Sequence, residues 1–519
     1  MARQSNRQRI QAANLVPANS AATEAVTALV SGTSTDHSAE RISNPARATA
    51  WEWSICATVL ILFVTAMARE HHILWVPEPW DFPTPKILKT GNTLQNRDFL
   101  VYYVAGRVAR GEGDSRLYYP PPGTKAQQNS ALLEGIVPVD TAWSRVAERS
   151  VGAATTMHYI YPPFFAWLIS PLARLPLVRA YVLWLGLSTM WLLLSTYLVL
   201  RSIQPKSGPF AFLVATVGVL CFFPCAESLS QGQANCLILF LWTAGFYCAR
   251  TRRTSLSAVC FALNTFVKIT PAIVVPLLLL RRQWKWLISY SITFSGLLAL
   301  SIWRMGWEVH WVYLSRTFPV LSAGIGGYRE RSLGGVVRNL YWRHPTLGQY
   351  DSLLIPLPLN VLVKVICIAL YAGVLFYFWK KKRNGEIALS EELAIATLIA
   401  LIISPVTWRH HFVLSLLPLI YCWMQSGKGG SKARLCVLAL VTVVLGTSLA
   451  DLVLLRAHNG LLQAVLASAF LLATCVLLFL CLRDYGLQPI SAVGEDNIRL
   501  FTAQGRSRPP RAASLGASR

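Results

Sequence analysis

Charge is what this sequence has least of. Only 14% of its 519 residues are Asp, Glu, Lys or Arg, against roughly 25% in an ordinary globular domain, which excludes a soluble enzyme of the usual kind. Acidic residues are scarcer still: 24 Asp and Glu stand against 48 Lys and Arg, a net charge of +24. No carboxylate cluster stands out, so neither a metal ion nor a cofactor is expected. None of the 11 cysteines falls in the polar stretch 69–177, and no Cys-X-X-Cys occurs. That argues against a disulfide framework and a zinc site; the cysteines read as small apolar residues of hydrophobic segments. Residues 1–50 are too polar for a cleaved signal peptide, which leaves the apolar run 53–68 as an uncleaved signal anchor.

Apolar residues, at 54%, are abundant, and they gather in long runs such as Val182–Leu200, Leu287–Trp303 and Leu461–Leu482. Runs of about 20 apolar residues are membrane spans, and Lys and Arg beside them mark cytoplasmic ends. The basic clusters at 250–253, 281–282 and 380–383 flank such runs, so the positive charge reports topology and no nucleic-acid partner is expected. The predicted fold is an all-α polytopic membrane protein with about ten transmembrane helices. Residues 1–50 and 485–519 form disordered cytoplasmic tails around a transmembrane domain at 51–484. Two hydrophilic segments, 69–177 and 304–356, face outward, the second carrying six arginines against three acidic residues.

One apolar stretch departs from the pattern. Residues 255–280 have basic clusters at both ends, with Lys268 and Pro271 between them. A broken, re-entrant helix pair fits better than a single crossing, because irregular backbone at membrane depth is tolerated where it lines a cavity. Lys268 is the lone charge in that stretch, and a buried ammonium calls for an anion, such as a lipid phosphate, or for a carboxylate partner.

Chemistry is expected in the outward segments. Asp98, beside the aromatic run Phe-Leu-Val-Tyr-Tyr, is either a general base near an apolar interface or a helix cap. Tyr161-Pro-Pro is a rigid corner leading into a short helix. Gln-Gly-Gln-Ala-Asn at 231–235 puts amides at a helix start, where they can bond sugar hydroxyls or phosphate or simply form a turn. His410 and His411 follow Arg409 between two spans and lack the spaced partners of a metal site, so a neutral histidine orienting a carboxylate or touching substrate is expected.

Taken in order, Arg-Asp-Phe-Leu-Val-Tyr-Tyr (97–103), Tyr-Pro-Pro (161–163), Gly-Gln-Ala-Asn (232–235), Lys-Ile-Thr-Pro (268–271) and Ser-Pro-Val-Thr-Trp-Arg-His-His (404–411) resemble glycosyltransferase family 87 over roughly residues 90–425. The resemblance implies a GT-C-like enzyme of the cell or inner membrane, with its site on the extracytoplasmic side. Its donor would be a polyprenyl-phosphate sugar, its acceptor a lipid or glycan, and the bilayer its surroundings. It implies Asp98 as catalytic base, His410 and His411 at the same site, and a broken helix near Lys268 that helps form the donor cavity. Candidate substrate-binding residues are Arg97, Tyr102, Tyr161, Gln233, Asn235, Lys268, Arg329, Arg331 and Arg409. A secondary transporter and a lipid-linked glycan ligase are the competing classes; the Lys268 break has no second copy in the sequence, contrary to the internal repeats usual in transporters.

Overall fold

A computed structural model describes residues 50–70, 98–111, 117–118, 142–151, 159–203, 208–324, 330–342, 355–383, 389–426, 431–450 and most of 462–485. The two expected tails fall outside these almost entirely, as do Arg97, Arg329 and the stretch 119–141. Every regular element among the described residues is helical, as the apolar periodicity predicts. Along the chain come α1 (Ala50–Glu70), α2 (Asp98–Val108), α3 (Ala142–Val151), α4 (Pro163–Ile169), α5 (Leu177–Ile203), α6 (Pro209–Cys221), α7 (Phe223–Gln231), α8 (Asn235–Arg250), α9 (Thr254–Val267), α10 (Val274–Leu280) and α11 (Trp284–Met305). Then follow α12 (Trp307–Val312), α13 (Phe318–Ala323), α14 (Leu333–Trp342), α15 (Leu357–Arg383), α16 (Leu389–Ile403), α17 (Leu416–Ser426), α18 (Lys432–Gly446) and α19 (Ala469–Tyr485). Short 3-10 turns at Leu172–Arg174, Thr270–Ile273 and Arg409–Ser415 and a π-helical turn at Tyr313–Thr317 link some of them.

Helix α8 runs through the core, packed against α5, α9, α16 and the 409–415 turn. Polar groups buried in this core must find partners. Trp242 of α8 donates to the Leu393 carbonyl at 2.9 Å, and Asn264 of α9 donates to the Ile238 carbonyl at 3.0 Å. Such bonds from side chain to backbone fix helix rotation in a core whose contacts are mostly apolar.

Among the described residues three helices, Leu177–Ile203, Trp284–Met305 and Leu357–Lys381, are long and apolar enough to cross a membrane. Helices α6 and α7 make a fourth candidate, bent by 63°. The bend has a local cause. Phe222 leaves helical geometry at φ −68 and ψ 115, and Pro224 just beyond it has no N–H to give. Three or four is fewer than the ten or so crossings read from apolar runs. Length falls short because several runs are interrupted or brief: α8 has 16 residues and α16 has 15. The expected break at Lys268 is present. Helix α9 stops at Val267, Lys268 is extended at φ −152 and ψ 136, and Pro271 lies in the following 3-10 turn.

Along α11, Trp284, Ile288 and Ile292 are 57%, 58% and 68% exposed, one apolar stripe at helical spacing. Trp303 at the other end is also exposed, about 28 Å from Trp284 at 1.5 Å per residue. That separation matches a hydrocarbon layer of roughly 30 Å bounded by aromatic belts. Replacement of Ile292 by Arg puts a charge inside the stripe, at an insertion cost of about 3 kcal/mol. The expected outcome is several-fold less protein in the membrane fraction than for Ile292→Leu; equal amounts would show that the stripe does not face lipid.

Candidate active site

A cavity of about 720 Å³ opens between α2, the 268–273 segment, α14, α15 and the 404–411 segment. It gathers Asp98, Tyr102, Tyr161, Gln233, Lys268, His410 and His411 on its walls. Its remaining lining is largely apolar, with Ile273, Phe318, Leu321, Val363 and Ile368 among it. The structure thus unites residues drawn from five separate sequence motifs.

Asp98 is the first residue of α2 and is buried. Its Oδ2 accepts a hydrogen bond from Gln233 Nε2. The Gln233 Oε1 in turn accepts from the hydroxyls of Tyr102 and Tyr161, at 2.9 and 3.0 Å, and those hydroxyls lie 2.7 Å apart. Burial pushes the acidity of both tyrosines down, with the Asp98 charge adding to it, so both phenols stay protonated. Tyr161 reaches this point because Pro162 is extended and Pro163 opens α4, the rigid corner expected from the sequence.

A second group on the cavity wall is basic and aromatic. Lys268 Nζ lies 2.7 Å from His411 Nε2, while His411 Nδ1 accepts from the Trp408 N–H at 3.0 Å. Accepting at Nδ1 places the neutral ring's proton on Nε2, facing the lysine. A charged Lys268 then meets that N–H donor to donor, an arrangement that an anion beside Lys268 would relieve. The ring of Trp408 lies parallel to that of His411, with centroids 6.4 Å apart. Lys268 is itself extended because α9 stops at Val267, which is how a lysine from an apolar stretch arrives at a polar site.

Three predicted residues lie behind the cavity wall. Arg409 is buried against Glu227, 2.9 Å away, with its guanidinium over the Phe223 ring. Arg331 is buried over Phe470, and its N–H donates to the Thr407 carbonyl at 2.7 Å. Asn235 and Ser228 donate to the His410 carbonyl at 3.3 and 3.0 Å. These contacts hold the histidine turn from beneath. Arg97 and Arg329 lie outside the described residues.

Two further groups escaped the sequence reading. Arg338 lines the cavity, with Nη2 donating to Asn360 Oδ1 at 3.3 Å. Its guanidinium fills a slot between two glycines: a Cβ on Gly324 or Gly334 would come within 2.8 or 3.0 Å of Nη1. Glu330 is buried, and its Oε1 accepts from the N–H groups of Thr407 and Ser332 at 2.6 and 3.2 Å. Gly335 makes room for it, since a Cβ there would meet Glu330 Cγ at 2.0 Å. Glycines at 324, 334 and 335 around these residues are the signal that could have pointed to them. Among the described residues no group of three or more His, Cys, Asp or Glu is placed to hold a metal ion.

The model of glycosyltransferase family 87 matches residues 159–405, the family expected from the motifs. The match includes Tyr161, Gln233 and Lys268, whereas Asp98, His410 and His411 lie beyond its ends. A polyprenol-phosphate-mannose-dependent alpha-(1-2)-phosphatidylinositol mannoside mannosyltransferase of Mycobacterium tuberculosis is 26% identical over 304 residues, covering 55% of this chain and 66% of the relative. A polyprenol-phosphate-mannose-dependent alpha-(1-2)-phosphatidylinositol pentamannoside mannosyltransferase of Mycolicibacterium smegmatis is 27% identical over 278 residues, covering 52% of this chain and 61% of the relative. The chain therefore spans just under two thirds of the length of these relatives. No solved structure matches it.

Two outcomes follow from the supporting contacts. Breaking one side of a buried ion pair leaves an uncompensated charge and costs about 3–5 kcal/mol, whereas replacing both sides with apolar groups costs far less. Arg409→Met alone should therefore lower thermal stability in detergent sharply, and Glu227→Met with Arg409→Met should recover much of the loss; an additive loss would contradict the pairing. Burial also pushes Glu330 up from 4.5 to about 7. The folded protein holds that proton more tightly than the unfolded chain, so this stabilisation is complete below pH 4.5 and disappears as pH rises through about 7. Between pH 5 and 8 the wild type should lose thermal stability relative to Glu330→Gln, which keeps an acceptor without the charge. Parallel pH profiles would show that Glu330 does not titrate in this range.

Proposed function

With glycosyltransferase family 87 as the family that residues 159–405 match, we propose that this chain moves a hexose, mannose in the first instance, from a polyprenyl-phosphate donor to a hydroxyl of a lipid or glycan acceptor. It does so on the extracytoplasmic side of the cell or inner membrane, in a chain that crosses about ten times and carries α9 and α10 as a re-entrant pair. The observation that carries this reading is one cavity in which a buried carboxylate, Asp98, shares the walls with Lys268, Arg338 and the histidine pair beside an apolar lining. Such a cavity suits a ligand with a sugar, a phosphate and a hydrocarbon chain. The mycobacterial relatives, dependent by name on polyprenol-phosphate-mannose, support the same donor here.

Asp98 takes the proton of the acceptor hydroxyl, and the acceptor oxygen forms a bond to the sugar C1. The bond from C1 to the phosphate oxygen breaks, and its electron pair stays on that oxygen. The phosphate group passes from one negative charge to about two, so the cations matter more after the transfer than before it. Lys268, Arg338 and the ring N–H of His411 are the groups placed to offset that charge. A direct displacement inverts C1, so a β-linked donor gives an α-linked product.

A positioned general base contributes about 10²–10⁴-fold. Transfer from radiolabelled polyprenyl-phosphate-mannose should fall by that factor in Asp98→Asn, which keeps the shape of the side chain and removes the base, while the variant elutes as folded protein. The product should be the α anomer by NMR. Equal transfer by both proteins would reduce Asp98 to a structural role, and a β product would rule out single displacement.

A further inference from the structure

The side chain of Gln233 makes more directed hydrogen bonds than a turn residue needs, and each of them ends on the candidate base or on a tyrosine that lines the same cavity. The residue is buried between α7 and α8, where its own N–H donates to the Ser228 carbonyl at 2.8 Å. Gly232 before it has φ 66 and ψ 35, a left-handed conformation that residues with a side chain rarely adopt. A Cβ on Gly232 would also lie 2.7 Å from the Cβ of Phe99, the neighbour of Asp98 in α2. The Gly232 carbonyl accepts from Trp184 Nε1 at 2.8 Å, and the Ser230 carbonyl accepts from the Tyr181 hydroxyl at 2.9 Å. The backbone of this turn is therefore pressed onto the start of α2 and pinned from α5.

An amide side chain can sit either way round, and here its surroundings choose. Two phenol hydroxyls lie against Oε1, and both can donate to it. Reversing the amide would set Nε2 against those hydroxyls and Oε1 against the Asp98 carboxylate, oxygen facing oxygen. The tyrosines thus hold the N–H end of Gln233 on Asp98. An N–H donor on one carboxylate oxygen favours the ionised form and fixes the plane of the group, which directs the carboxylate toward the cavity that both residues line.

We infer that Gln233 is a positioning residue for Asp98: with its amide held by Tyr102 and Tyr161, it keeps the carboxylate oriented and ready to accept a proton from the acceptor hydroxyl. The inference deepens the glycosyltransferase reading and rests on it for the identity of that hydroxyl. The positioning does not depend on sugar identity, so it applies to any acceptor the cavity admits.

The test compares wild type, Gln233→Leu and Gln233→Glu in lipid nanodiscs. Loss of the amide removes a hydrogen bond to a charged group, which moves the acid limb of the pH–rate profile for mannosyl transfer upward by about one to two pH units. Gln233→Glu keeps the size of the side chain and sets a second carboxylate against the first, so its limb moves further in the same direction. The Michaelis constants for donor and acceptor stay near those of the wild type. Protonation of Asp98 is followed in parallel, without substrate, as the carboxyl infrared band missing from Asp98→Asn. Its midpoint should shift with the limb. A shifted midpoint supports the inference even if the wild type transfers no mannose, an outcome that would overturn the proposed donor alone. An unmoved midpoint in both variants, or raised Michaelis constants with an unmoved acid limb, would overturn the positioning role.

Discussion

The ion pair between Glu227 and Arg409 is the contact on which the site depends. Both groups are buried, and an interior this apolar tolerates charge only when it is paired. Glu227 stands in α7, a few residues before the turn that carries Gln233 to Asp98. Arg409 opens the 3-10 turn that carries His410 and His411. Joining these two side chains brings together segments about 180 residues apart in sequence, and the same seam is reinforced where Ser228 and Asn235 donate to the His410 carbonyl. The charge pair therefore acts through what it aligns, the turn that brings Gln233 to Asp98 and the turn that brings His410 and His411 to the same cavity.

The rest of the cavity follows a similar rule, in which polar groups face the ligand space and their remaining hydrogen-bonding capacity is taken up from behind. Glu330 accepts from Thr407 N–H as Arg331 N–H donates to the Thr407 carbonyl, lashing the 330–332 segment to the residue before Trp408. Glycines at 324, 334 and 335 leave space for Arg338 and Glu330 to lie flat against backbone. A cavity so supported holds its charges in fixed positions, and fixed charges in a poorly hydrated site stabilise a changing ligand charge without reorganising first. Lys268 and His411 meet on the wall of this cavity, 2.7 Å apart.

Much of this was legible in the sequence because charge is rare in it. In a chain that is 54% hydrophobic, Lys268 in an apolar stretch and two histidines between spans stand out, and all three line the cavity. Pro162 and Pro163 carry their own geometry, so the corner that places Tyr161 could be read directly. The direction in which a side chain points could not. Arg331 and Arg409 read as cations for a phosphate, yet they are packed over Phe470 and Phe223 behind the wall. Arg338, one of six arginines in its segment, reaches the cavity because Gly324 and Gly334 from different elements leave a slot, a tertiary fact with no local spacing. The crossings were legible only as apolar runs: composition does not show where the backbone breaks inside a run, as it does at Phe222 with Pro224 and at Lys268 with Pro271.

The central proposal is that one cavity holds both the base and the phosphate site. Its most direct test is a cryo-electron microscopy structure with a non-transferable phosphonate analogue of polyprenyl-phosphate-mannose. The account predicts the phosphonate between Lys268 and Arg338, the hydrocarbon chain along Ile273, Val363 and Ile368, and the sugar C1 facing Asp98. A phosphonate bound away from both cations, or a sugar turned from Asp98, would contradict it.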